Sequence, residues 1–282
     1  MALHLLSLVA RMQVREVIAG WLRFIEAHKS PRTLTLYRMV IWRFVDSLPP
    51  KIKLRNITRE HIERHLALLP AVHNRSINCY LMVLRSFFGF CEERFDILSP
   101  VAKIKRLPET QPHQRVLSEA EYQHILGVCN RQEKAIIELL ANTGLRANLE
   151  FPQALNPANI ANDMLHLVLK GNKTGVMPLN KTAKIAIETL LSHLDFSKSI
   201  ARRNSLYYLC VKLAKRAEIP KFTPHSLRYY FGDNLRRHKV SIFEISKLYH
   251  HSTIKQTMAY LHLDEDELKG LTDVLDEPDK KD

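Results

Sequence analysis

Apolar residues recur at intervals of three and four along most of this chain and change to alternation in one stretch, residues 164–179. That confines the fold to packed helices with one small sheet: the first spacing lines one face of a helix, the second one face of a strand. Val14, Val17, Ile18, Trp21, Leu22 and Ile25 make the first stripe. Ser30-Pro31 opens the next helix, with Leu36, Val40, Phe44 and Val45 as its stripe, and Pro49-Pro50 breaks it. Residues 57–69 and 74–95 supply two more helical patterns. Four helices in so short a span predict a compact helical domain over residues 1–102. Trp21, Trp42, Phe87, Phe88 and Phe90 read as its core rather than as a base-stacking platform.

Residues 103–116 are polar and basic, contain Pro108 and Pro112 and lack apolar periodicity, the features of an extended interdomain linker. A second domain, 117–282, starts with a capping box at Ser118-Glu119-Ala120-Glu121, followed by a helix that Gly144 terminates. Leu165, Leu167 and Leu169 then alternate, residues 171–175 turn the chain and residues 176–179 return, which predicts a β-hairpin with a basic tip. Thr223-Pro224 and Ser241 to Glu244 are further helix starts. The fold class expected is mainly α: a four-helix N-terminal domain, then a mostly helical domain with a small antiparallel β-sheet.

The formal charge is +13, yet residues 263–282 hold nine acids and three bases, so the first 262 residues carry +19. A body that basic suits a polyanion, since neutralising phosphates releases condensed counterions. Four cysteines, Cys79, Cys91, Cys129 and Cys210, are widely spaced without a CxxC pair, which suits a reducing cytoplasm rather than a disulfide framework. The N-terminal run reads poorly as a secretory signal, and no stretch approaches the roughly 18 apolar residues of a membrane span. A soluble, cytoplasmic protein is expected.

Four places put ionisable side chains at structural punctuation. Arg146 follows the helix-ending Gly144, and Lys170 closes a strand at the hairpin turn. His225 and Arg228 lie three apart at a helix start, where free N–H groups and the helix dipole favour a phosphate. His251 precedes Tyr260 by nine residues. Each signal is weak alone, since arginines near helix ends and lysines at hairpin tips are mostly solvated. His61 and His65 stand four apart on a helix, but no third ligand accompanies them and a surface helix is the plainer reading.

Taken in order, Thr143-Gly144-Leu145-Arg146, Lys170 to Lys173, His225-Ser226-Leu227-Arg228 and His250 to His262 resemble the tyrosine recombinase, or phage integrase, family in its Xer-like and simple mobile-element branch. Residues 30–48 and 75–101 look like the helical hairpins of that family's core-binding domain, so the resemblance extends over roughly residues 14–275.

The resemblance implies a site-specific DNA recombinase and a set of roles. Arg146 and Arg228 would grip the non-bridging oxygens of a phosphodiester and His251 would add a donor. Tyr260 would attack phosphorus to give a 3′-phosphotyrosyl intermediate, with His225 accepting the phenolic proton and Lys170 protonating the leaving 5′-oxygen. Tyr229, Tyr230 and Tyr249 compete as nucleophiles, and the nine-residue interval from His251 selects Tyr260. The covalent link conserves the energy of the broken bond, so no metal, ATP or other cofactor is implied. The partners implied are double-stranded DNA with specific recombination sites and a homotetramer formed on two such sites. Leu268, Leu271, Val274 and Leu275 resemble the last helix, which docks on a neighbouring subunit.

Three positions depart from the family's pattern: Leu149, with Glu150 after it, where an acid is usual; His250 in place of Gly; and Tyr229 in place of His. A catalytically weak or inactive DNA-binding protein of the same fold is therefore the alternative. A type IB topoisomerase shares the chemistry but not the separate helical N-domain.

Overall fold

The structure, a computed structural model, describes residues 13–70, 73–109, 115–193, 199–200, 204–251, 253–254 and 257. The chain forms two compact units, Met1–Gln111 and Pro112–Asp282.

The first unit contains α1 (Val14–His28), α2 (Pro31–Asp46), α3 (Arg59–Ala67) and α4 (Asn74–Phe95). Every apolar residue of the α1 stripe is buried, and Trp21 is enclosed between the Tyr37 ring at 5.6 Å and the Phe87 ring at 5.3 Å. Ser30 caps α2 by accepting from the Thr33 N–H, with Pro31 in the first turn, where its missing N–H does no harm. His61 is bound into the Thr58 cap of α3, while His65 is buried with Nδ1 2.8 Å from the Ser47 hydroxyl. The two rings are engaged in separate structural contacts.

After α4 the chain runs back along it. Val101 and Ile104 enter this core. The buried Asn78 side chain donates to the Leu107 carbonyl (2.8 Å) and to Glu109 (2.7 Å) and accepts from the Leu107 N–H (2.9 Å). Asn74 holds the Pro108 carbonyl. Thus the basic, proline-bearing stretch is tied to α4 as far as residue 109.

The second unit contains α5 (Glu119–Val128), α6 (Arg131–Thr143), α7 (Phe151–Ala154), strands β1 (Ile160–Ala161), β2 (Met164–Val168) and β3 (Thr174–Pro178), then α8 (Lys181–Leu191), α9 (Ser205–Arg216), α10 (Pro224–Arg237) and α11 (Ile242–Leu248). Capping boxes stand at Ser118, Asn130, Thr223 and Ser241. Helix α6 runs through the core, packed by α8 and α10.

The three strands form an antiparallel sheet in the order β1-β2-β3. Leu165 and Leu167 are buried while His166 and Val168 face out, as alternation requires. The ladder continues to Val168 opposite Thr174, so the return strand starts two residues before Val176. Gly171 (φ 82°) and Asn172 (φ 59°) make the turn, closed by Leu169 N–H to Lys173 O at 2.7 Å. The short β1 carries no sequence signal, because two residues are too few to show a period.

Candidate active site

Gly144 ends α6 in the left-handed conformation (φ 60°), and a methyl group there would lie 2.5 Å from Cδ1 of Phe231. Only glycine fits both demands. The turn that follows brings Arg146 back toward the middle of the unit. From α10 the Arg228 side chain reaches the same place, with only 2% exposure.

There the two guanidinium groups converge. Arg146 Nη2 lies 3.4 Å and Arg228 Nη2 3.0 Å from one acceptor, the Tyr249 carbonyl at the end of α11. Glu150 lies beneath both, its side chain 1% exposed. Its Oε2 accepts from the Arg146 backbone N–H at 2.8 Å, its Oε1 from Arg146 Nη1, and Oε2 lies 3.6 Å from Arg228 Nη1. Arg228 also donates to the Gly144 carbonyl, and its guanidinium lies 4.4 Å from the centre of the Tyr249 ring. Two cations against one carboxylate leave a local excess of positive charge. The Arg146 side chain, 32% exposed, opens that charge to solvent. Fixed donors with unbalanced charge suit a single oxyanion, and paired arginine N–H groups match phosphate geometry.

Two histidines lie beside this cradle. His251 Nε2 is 3.5 Å from Arg228 Nη2 and its Nδ1 is 2.9 Å from the Thr257 hydroxyl. Burial, then the charges of Arg228, Arg146 and His250, lower its pKa to about 4. A neutral ring so flanked carries its proton on Nδ1 and turns the Nε2 lone pair toward the arginine. His225, in the first turn of α10, keeps an exposed face. Partial loss of water around the ring, then Arg228 and Arg146, lower its pKa and favour a neutral base. Spacing placed His225 and Arg228 on one face; in the fold Arg228 turns inward while His225 stays at the surface.

Lys170 is exposed at the hairpin turn, and among the described contacts it makes none to the arginines. Tyr260 and the apolar positions 268–275 lie outside the described residues. The competing tyrosines are all buried: Tyr249 donates its hydroxyl to the Arg228 carbonyl, Tyr230 donates to Glu119 at 2.6 Å, and Tyr229 is 7% exposed.

The unusual His250 has a structural explanation. Helix α11 ends in a Schellman motif, with His251 N–H to Ser246 O at 3.1 Å and His250 N–H to Lys247 O at 2.9 Å. That motif sets the residue at 250 left-handed (φ 51°), where a side chain costs about 1–2 kcal/mol relative to glycine. Leu149 is 39% exposed, so the arginines' carboxylate comes from the next residue along the turn.

The profile of the phage integrase family matches residues 115–267, and that of the phage integrase N-terminal SAM-like domain matches residues 18–94. The chain is 25% identical to tyrosine recombinase XerD of Corynebacterium glutamicum, aligned over 92% of this chain and 97% of that protein. It is 27% identical to tyrosine recombinase XerC of Pseudomonas fluorescens, over 88% of this chain and 91% of that protein. Among solved structures, its fold is similar to the Tn1549 transposon integrase in complex with transposon right end DNA (TM-score 0.72, 15% identity, 94% of this chain and 100% of that one). It is equally similar to a lambda integrase dimer bound to a core site (TM-score 0.72, 17% identity, 90% and 99%).

Proposed function

The chain belongs to the phage integrase family, and from that premise we propose that this tyrosine-type site-specific recombinase cuts and rejoins double-stranded DNA through a 3′-phosphotyrosyl intermediate formed on Tyr260. The observation that carries the proposal is the meeting of Arg146 and Arg228 on the Tyr249 carbonyl above a shared Glu150.

A phosphodiester resists attack because its oxygens are negative and its leaving alkoxide is poor. Arg228, fixed by the Gly144 and Tyr249 carbonyls, brings a preorganised positive charge that offsets the charge growing on a non-bridging oxygen. Arg146 supplies donors from the open side. Binding of the phosphate offsets the arginines' charge at His251, and a proton on Nε2 then becomes a further donor. The Tyr260 oxygen bonds to phosphorus while the bond to the 5′-oxygen breaks. His225 takes the phenolic proton, and Lys170 on the hairpin protonates the departing 5′-oxygen. A 5′-hydroxyl from a second strand reverses the step, with the phosphotyrosyl bond supplying the energy, so neither metal nor ATP is called for. Strand exchange needs four such sites, which four copies of the chain on two duplexes provide. The reaction belongs with the chromosome or mobile DNA in the cytoplasm.

The test uses labelled duplexes tiled from the DNA flanking the gene, incubated with the full-length protein in EDTA without nucleotide. The reading predicts recombinant strands joining two duplexes. Binding without covalent complex or product would identify an inactive DNA-binding protein. Relaxation of one supercoiled duplex without exchange would identify a topoisomerase.

A further inference from the structure

His250 stands in a strained conformation that glycine would adopt freely, so its side chain has something to do. The ring crosses to the hairpin. A β-carbon added to Gly175 on β3 would lie 2.9 Å from Cε1 and 3.0 Å from Nδ1 of His250, and 2.8 Å from Cδ1 of Leu169. The imidazole therefore rests directly on the hairpin backbone, in a space that exists because residue 175 has no side chain. Gly175 pairs with Leu167 in the ladder, and Leu169 closes the turn that carries Lys170.

At its other end the residue belongs to the helix terminus that presents the Tyr249 carbonyl to both arginines. The ring is close enough to Glu150, Arg146 and Arg228 to feel their charges; burial first, and then the two arginines against the opposing carboxylate, keep it neutral. Its Nε2 is buried without a hydrogen-bond partner among the described residues. An uncharged wedge between strand and helix end is what these observations describe.

We propose that His250 is a positioning residue that seats the β2–β3 hairpin, and with it Lys170, against the helix end that holds the arginine pair. The proposal rests on Lys170 being the proton donor to the 5′-oxygen. Chains with glycine at this place lack the wedge, so here the hairpin is held by an element independent of DNA.

The test compares His250→Gly, which relieves the backbone and so keeps the fold, on two substrates. One is ordinary DNA; the other carries sulfur in place of the bridging 5′-oxygen at the scissile phosphate. A thiolate is a far weaker base than an alkoxide and leaves without a proton. Single-turnover cleavage of ordinary DNA is expected to fall by about tenfold to a hundredfold in His250→Gly. The sulfur substrate is expected to restore the wild-type rate, as it should for Lys170→Ala. Unchanged cleavage of ordinary DNA, or an equal loss on both substrates where sulfur does rescue Lys170→Ala, would overturn the proposal.

Amide exchange at Leu169 and the hairpin separates the two ideas. If sulfur fails to rescue Lys170→Ala, the assignment of Lys170 is wrong. Faster hairpin exchange in His250→Gly would then still uphold the seating, and unchanged exchange would refute it.

Discussion

Arg146 and Arg228 point their Nη2 atoms at the same carbonyl oxygen, that of Tyr249, from 3.4 and 3.0 Å, although one follows α6 and the other sits in α10. The oxygen belongs to the last turn of a third helix, so three elements must be in place before the cradle exists. The site's geometry is therefore a report on the packing of these three elements.

Glu150 holds that cradle against its own repulsion. Glu150→Gln leaves a nearly fully buried guanidinium without its counter-charge, and removing one partner of a buried pair typically costs about 3–5 kcal/mol. Chemical denaturation should show a loss of that order, and single-turnover cleavage should drop about a hundredfold as the arginines shift. Adding Leu149→Glu should not restore either, because residue 149 is 39% exposed whereas the Glu150 carboxylate is buried against the pair.

Tyr249→Phe separates a structural tyrosine from a reacting one. The variant loses the hydroxyl bond to the Arg228 carbonyl, worth about 1 kcal/mol, and keeps the ring beside the guanidinium. Covalent adduct formation on nicked DNA should persist in it.

Asn78→Ala should loosen residues 107–109 from α4, leaving Ile104 in the core. Three hydrogen bonds to a buried amide disappear together, two of them with the Leu107 backbone. A stability loss of about 2–3 kcal/mol is expected. Limited proteolysis should cut this segment faster than in the parent.

His65 predicts an acid-sensitive first unit. Burial first, and then Arg43, lower its pKa from 6.5 to about 4. The unfolded chain therefore binds more protons between those values, so stability is full above pH 6.5 and falls as pH drops toward 4. At about 1.4 kcal/mol per pKa unit the loss is on the order of 3 kcal/mol. Denaturation of His65→Phe should show a flatter slope across that range, to which His251, also lowered to about 4, still contributes.

Much of this architecture is legible in local sequence because its causes are local. Ser118 and Ser241 announce helix starts by the glutamate three residues on, Thr223 by the proline after it, and Leu165 and Leu167 announce a strand by alternation. Gly144 marks a helix stop because its φ excludes other residues. The grouping of Arg146 with Arg228 followed from a family pattern, since nothing near either residue specifies the other. Glu150 could only be weighed against Leu149, because a loop has no period from which to read which side chain turns inward. Asn78 looked like any polar residue on a helix, for its partners lie on a returning segment distant in sequence. His250 was visible as an oddity; its meaning needed the left-handed φ and the bare backbone of Gly175.

The most direct test of the account is to find where DNA becomes attached. A duplex nicked just past the scissile phosphate releases the short downstream fragment with its free 5′-hydroxyl and traps any covalent complex, whose peptide can be identified by mass spectrometry after nuclease digestion. The account predicts a phosphotyrosyl peptide containing Tyr260, absent in Tyr260→Phe and lost in Arg228→Ala. An adduct that persists in Tyr260→Phe, or maps to another residue, would contradict it.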